Sequence, residues 1–139
     1  MPLSILLVDD VELNRKVASL MLNKLGYRAD FAANGIEAIE ALEQRSYDIV
    51  LMDIQMPMMD GLEATKIIRK KWLNGPKIII ITALANYRDT CVDAGANDFL
   101  NKPLGIENLK SAIESNMSIS SFVSSNLEEF AATSDLCAM

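Results

Sequence analysis

Tyr47-Asp48-Ile49-Val50-Leu51-Met52-Asp53 is a short, almost wholly apolar run that stops at a carboxylate. A continuous apolar run of this length suits a strand covered on both faces of a parallel sheet. Two other segments have the same form. Ser4 to Asp9 (Ser-Ile-Leu-Leu-Val-Asp) lies upstream, and Lys77 to Thr82 (Lys-Ile-Ile-Ile-Ile-Thr) lies downstream. Arg28 to Ala33 and Asn97 to Leu100 are weaker strand candidates. Helical spacing fills the intervals. Val17, Leu20, Met21 and Leu25 predict one apolar helix face, with Gly26 as its stop. Ala38, Ile39 and Leu42 predict a second helix, and Leu62, Ala64, Ile67 and Ile68 a third that ends near Asn74-Gly75-Pro76. Ala85 to Ala94 predicts a fourth, stopped by Gly95, and Ile106, Leu109, Ile113 and Met117 a fifth. Strand and helix therefore alternate five times. That pattern predicts an α/β doubly wound (βα)5 sandwich with a five-stranded parallel sheet. With right-handed crossovers the expected strand order is 2-1-3-4-5, and ligands gather outside the carboxyl ends of the strands.

The chain has 139 residues, enough for one domain that buries about two thirds of its unfolded surface. It contains no histidine, which removes Ser-His-Asp and Cys-His nucleophile pairs, histidine metal ligands and a histidine phosphodonor. Two cysteines, Cys91 and Cys137, are too few for a four-cysteine zinc site or a disulfide framework, and a reducing cytoplasm is the expected setting. The longest nearly apolar run, Ile78 to Ala85, falls far short of the ~20 residues of a membrane helix, and no signal peptide is legible. Formal net charge is −6, from 19 acids and 13 bases, which argues against direct nucleic-acid binding. All the bases lie at or before Lys110. The last 22 residues hold six serines and only three charges, so the domain is expected over 1–117, with 118–139 a serine-rich tail or helical extension. Ile119, Phe122, Val123, Leu127 and Phe130 in that tail recur at helical spacing. Lys66, Arg69, Lys70 and Lys71 read as a solvated helix face, and Met56, Met58 and Met59 fall in the loop after Asp53.

The polar residues at the expected strand ends carry the chemistry. The first strand ends in Asp9-Asp10, the third in Asp53 and the fourth in Thr82, and the fifth runs into Lys102-Pro103. Singly, each has a plain structural reading. Asp10 suits a helix N-cap, Asp53 a turn, Thr82 an ordinary strand position, and Lys102 a solvated surface. Together they converge on one rim of the sheet. Three carboxylates there repel and raise proton affinity unless a cation is present, and an all-oxygen donor set selects Mg²⁺ or a similar ion. A lysine and a hydroxyl beside such an ion suit phosphoryl oxygens, with one carboxylate as nucleophile and an aspartyl phosphate as product.

Leu6-Leu7-Val8-Asp9-Asp10, the run Met52-Asp53-Ile54-Gln55-Met56-Pro57-Met58-Met59-Asp60-Gly61, Thr82-Ala83 and Lys102-Pro103 resemble the receiver domain of two-component response regulators. The resemblance covers about residues 4–117, and the segment Asp53 to Thr65 looks most like receivers joined to hybrid sensor histidine kinases. It implies a flavodoxin-like fold and a phosphorelay switch rather than a conventional enzyme. Asp53 would be the phosphoacceptor. Asp10 and Asp53 would bind Mg²⁺ through side chains, Gln55 through its main-chain carbonyl, and Asp9 largely through a metal-bound water. Lys102 and Thr82 would contact the phosphoryl oxygens, and the main-chain N–H groups of Ile54 and Ala83 would complete the cradle. The Lys102-Pro103 bond would be cis at Pro103. Thr82 and Phe99 would form the switch, with helix four, strand five and helix five (about 86–117) as the output face and a surface for homodimerisation. The partner would be a histidine kinase or a histidine phosphotransfer domain. Gln55 and Leu84 would flank the path of attacking water, and the apolar Leu84 implies slow autohydrolysis. A Mg²⁺-dependent phosphatase of the haloacid dehalogenase type is the enzymatic alternative, but Gln55 stands where it needs a general acid. A pseudo-receiver would lack an acid, the threonine or the lysine, and none is missing.

Overall fold

The computed structural model describes residues 3–84 and 86–117. Five strands alternate with helices: β1 (Ser4–Val8), α1 (Glu12–Lys24), β2 (Arg28–Ala32), α2 (Gly35–Gln44), β3 (Ile49–Asp53), α3 (Gly61–Lys71), β4 (Lys77–Thr82), α4 (Arg88–Ala94) and β5 (Asp98–Asn101). A fifth helix, α5, runs over 106–117. All neighbouring strands pair in parallel, in the order β2-β1-β3-β4-β5. The fold is thus the doubly wound one that the alternation predicts.

The apolar runs of β1, β3 and β4 are continuous because these central strands are covered on both faces, and the two-residue pleat sorts them. Leu6, Val8, Val50, Met52, Ile78 and Ile80 face Ala38 and Leu42 of α2, Ala64 and Ile68 of α3 and Cys91 of α4. Ile5, Leu7, Ile49, Leu51, Ile79 and Ile81 face Ala18 and Leu22 of α1 and Leu109, Ala112 and Ile113 of α5. Fully burying one such side chain stabilises the fold by about 1.5–3 kcal/mol.

Local chemistry sets the helix ends. Asn34 caps α2 by accepting the Glu37 N–H at 2.9 Å, and Glu37 reaches back to the Ala33 N–H. Asp60 caps α3 through the Glu63 N–H at 2.8 Å. Gly95 closes α4 at φ 108°, a left-handed conformation suited to glycine. The N-cap of α1 is Val11, which offers no side-chain cap, so Asp10 does not play the capping part its position suggests.

Two expectations need correction. Of the stripe expected to bury α1, Val17 and Leu20 are 44% and 63% exposed. The helix turns Ala18 and Leu22 inward instead, with Met21 and Leu25 packed beside them. Both stripes follow helical spacing, and small Ala18 allows the closer approach to the sheet. The fourth helix begins at Arg88 rather than at residue 85, and Asn86 before it holds φ 61°. Ala85, Cys137 and the tail pattern over 118–139 lie outside the described residues.

Candidate functional site

Sheet order and register bring the polar strand ends together. Asp9 follows β1, and its N–H continues the ladder to the Ala32 carbonyl at 3.1 Å. Asp53 closes β3 opposite Ile81, and Thr82 closes β4 opposite Asn101. Lys102 follows β5, and its N–H donates to the Thr82 carbonyl at 2.8 Å. The Lys102–Pro103 peptide is cis. The central strands end one beside another, so four chain segments deliver side chains to one rim.

The carboxylates of Asp9, Asp10 and Asp53 place ligand oxygens within 4.8 Å of one another. Asp9 and Asp53 are buried, whereas Asp10 is exposed. The Lys102 ammonium reaches Asp9 Oδ2 at 3.5 Å and Asp53 Oδ2 at 3.4 Å. Burial pushes the Asp53 carboxyl above its ordinary range; the Lys102 charge opposes the shift, Asp9 adds to it, and the Ile54 N–H opposes it. Three acids against one lysine leave an excess of two negative charges when all are ionised. One divalent cation matches that excess, and three carboxylates form a hard oxygen donor set suited to Mg²⁺. The residues present therefore fit the ion, and when bound it would neutralise oxygens that otherwise repel an incoming phosphoryl group.

Two hollows open at this rim, and Asp53 lines the smaller. A slot of about 260 Å³ is lined by Asp9, Asp53, Lys102 and the apolar Leu13, Val17 and Leu104. A more open cleft of about 520 Å³ is lined by Asp10, Ile54, Gln55, Leu84 and Tyr87. Thr82 is buried, and its Oγ accepts the Leu84 N–H at 2.9 Å. Gln55 is exposed and Leu84 half-buried. Phe99 is half-buried beneath Arg88, whose guanidinium carbon lies 5.4 Å from the ring centroid.

Sequence reasoning passed over three residues at this rim. Gly61 packs so closely that a Cβ there would lie 2.1 Å from the Asp53 carbonyl oxygen, and its N–H donates to the Ile54 carbonyl. Asn14 approaches Asp9 Oδ1 at 3.5 Å, and Arg15 donates to the Asp9 carbonyl at 2.7 Å. Gly61 stood inside the quoted motif, but no strand or helix period reveals a backbone approach. The α1 residues carry no signal beyond being polar in the first turns of a helix.

The sequence model of the response regulator receiver domain matches residues 5–114. Hybrid signal transduction histidine kinase K of Dictyostelium discoideum is 42% identical over 120 residues, a match that covers 79% of this chain and 10% of that protein. Histidine kinase 5 of Arabidopsis thaliana is 35% identical over 139 residues, covering 79% and 15%. The chain thus spans only a small part of these relatives. Among solved structures, the receiver domain of a Pseudomonas aeruginosa PAO1 sensor histidine kinase, with magnesium in its active-site cleft, is 40% identical. It has a TM-score of 0.74 and covers 82% of this chain and 96% of that one. Response regulator TrrA of Thermotoga maritima, bound to Mg²⁺ and a beryllofluoride group, is 36% identical at a TM-score of 0.77, covering 84% and 100%. With this rim at the ends of a 2-1-3-4-5 sheet, and with that match over most of its length, the chain belongs to the response regulator receiver domain family.

Proposed function

We propose that this receiver takes a phosphoryl group from a phosphohistidine onto Asp53. The observation that carries the reading is the Asp53 carboxylate, buried at the end of β3 yet in reach of the Lys102 ammonium and two further acids. In the transfer the donor P–N bond breaks as a bond forms from Asp53 oxygen to phosphorus, and the imidazole leaves with the electron pair. Asp10, Asp53 and the Gln55 carbonyl would hold Mg²⁺ directly, and Asp9 through water. Lys102 turns from its two carboxylates to the phosphoryl oxygens, a task suited to a compact ammonium with three donors. The Thr82 hydroxyl and the Ile54 and Ala83 N–H groups close the cradle. Drawing Thr82 inward leaves space for the half-buried Phe99, which couples the site to α4, β5 and α5. That face would be the output and dimer surface. A histidine kinase or a histidine phosphotransfer domain is the partner, in trans or within a longer hybrid kinase. The chemistry of the chain itself is limited to self-phosphorylation and slow self-dephosphorylation. Exposed Gln55 supplies no general acid for a phosphatase of the haloacid dehalogenase type. The net charge of −6 accords with a partner that is not a nucleic acid, and the two cysteines with a reducing, cytoplasmic setting. No helix of the described residues is long and apolar enough to cross a membrane.

The test is intact-mass spectrometry after incubation with acetyl phosphate and Mg²⁺. One phosphoryl adduct, dependent on Mg²⁺ and absent from Asp53→Asn, is the expected result. An adduct that persists in Asp53→Asn would move the acceptor elsewhere. Trp72 fluorescence is no substitute, because this residue caps α3 among Tyr47, Gly75 and Lys77, where β3 and β4 begin.

A further inference from the structure

Asp9 has every polar atom engaged. Its N–H donates to the Ala32 carbonyl at 3.1 Å. Its Oδ1 accepts the Val11 N–H at 2.9 Å and faces Asn14 Nδ2 at 3.5 Å, and its Oδ2 faces Lys102. Its carbonyl accepts a 2.7 Å bond from Arg15 Nη1. Asp10, one residue on, is exposed and has no side-chain hydrogen bond among the described residues. With no side-chain hydrogen bond to hold it, the Asp10 carboxylate takes its direction largely from the backbone.

The Asp9 carbonyl and the Asp10 nitrogen and Cα lie in one rigid peptide plane. A group that fixes the carbonyl therefore fixes the direction of the Asp10 N–Cα bond, and the Val11 N–H bond to Asp9 Oδ1, which spans Asp10, restrains the rotation about it that places the side chain. The usual device for this turn, a side-chain cap on α1, is absent, because Val11 stands at the N-cap. Arg15 reaches back from α1 to satisfy the Asp9 carbonyl while Asp9 Oδ1 accepts the Val11 N–H, and the half-buried position of Arg15 limits its freedom to swing away.

We propose that Arg15 is a positioning residue for the metal site: by holding the Asp9 carbonyl it orients the Asp9–Asp10 peptide and aims the Asp10 carboxylate at the cation. This rests on the reading of the Asp9, Asp10 and Asp53 cluster as a Mg²⁺ site. Arg15 touches neither ion nor phosphoryl group. It acts as the outer partner of a ligand, and loss of such partners typically lowers metal affinity about 10–100-fold.

The experiment is isothermal titration calorimetry of Mg²⁺ into the full chain, for wild type, Arg15→Met and Arg15→Lys, with circular dichroism and urea unfolding to establish that each is folded. Arg15→Met is expected to weaken Mg²⁺ binding by about tenfold or more at unchanged stoichiometry. Arg15→Lys, which retains a donor and a charge, is expected to fall between. The Mg²⁺ concentration for half-maximal phosphorylation by acetyl phosphate should rise by the same factor, with a smaller change in the rate at saturating Mg²⁺. A merely structural role would lower the urea midpoint without moving either Mg²⁺ reading. Folded Arg15→Met that binds Mg²⁺ as tightly as wild type overturns the proposal and leaves the acceptor reading intact. If Arg15→Met does not fold, unaltered affinity in Arg15→Lys overturns it instead. Wild type that binds no Mg²⁺ overturns both.

Discussion

Asp53 and Gly61 show how closely this rim is built. A buried carboxyl whose proton affinity is raised binds its proton more tightly in the folded chain than in the unfolded one. As pH climbs from the ordinary carboxylate value through the raised one, the folded form carries the extra proton, so stability falls across that window and stays lowered above it. Asp53→Asn removes the buried charge. Without divalent cations it is expected to be more stable than wild type at pH 7, with the gap closing as pH drops to the ordinary carboxylate range. Urea midpoints measured against pH in a chelator check this, and a wild type more stable than Asp53→Asn at pH 7 would refute it. Gly61 packs against the Asp53 main chain rather than its carboxylate. A methyl there meets a backbone oxygen at 2.1 Å, a neighbour that cannot rotate away. Gly61→Ala is expected to destabilise by about 1–3 kcal/mol and to slow the proposed phosphorylation of Asp53, read by urea unfolding and by the mass shift with time. This residue was in plain view in the sequence, but its reason was not, because a close approach between distant backbone segments leaves no mark on local pattern.

Among the helices, α1 separates what periodicity tells from what it does not. Eight apolar residues from Val11 to Leu25 supply two overlapping stripes. Ala18, Met21, Leu22 and Leu25 face the sheet; Leu13, Val17 and Leu20 are left outward, and Leu13 and Val17 wall the slot that opens onto Asp53. A period of 3.6 fits either set, and only packing against β1 and β3 decides between them. In α2, α3 and α5 the expected stripe does supply the buried apolar residues, Ala38 and Leu42, Ala64 and Ile68, and Leu109 and Ile113. The consequence is measurable. Leu22→Ala, at a fully buried site, is expected to destabilise by about 2–5 kcal/mol. Leu20→Glu, at a site 63% exposed, should leave stability within about 0.5 kcal/mol of wild type. Urea unfolding of both variants checks the assignment, and a large loss from Leu20→Glu would reverse it.

Taken as one object, the protein is a sheet whose strand order is legible from alternation and handedness, and whose site follows from that order. Asp9, Asp53, Thr82 and Lys102 needed only the 2-1-3-4-5 arrangement to meet, because each closes or follows a strand. What stayed hidden was the support: Arg15 and Gly61 act on main-chain atoms, and Asn14 on the Asp9 carboxylate, at positions that exist only after folding. The same arrangement concentrates three acids at one rim of a chain already carrying −6, so the apo fold bears a local electrostatic load. A cation that binds the folded rim and not the unfolded chain relieves it by mass action. At a hundredfold excess over its dissociation constant such an ion adds about 2.7 kcal/mol. In a domain of this size that corresponds to a rise in Tm of about 10 °C. Two effects must be separated, because salt also screens the diffuse negative charge over a Debye length of about 10 Å at 0.1 M. Screening depends on ionic strength alone, whereas occupancy of the rim depends on the ion and on its ligands. Mg²⁺ is therefore expected to raise Tm well beyond NaCl at matched ionic strength. Asp53→Asn, already relieved of one buried charge and lacking one of the proposed ligands, should start higher and gain less. Differential scanning calorimetry of the two proteins in both salts distinguishes the cases, and equal gains from Mg²⁺ and NaCl would show that the rim holds no ion.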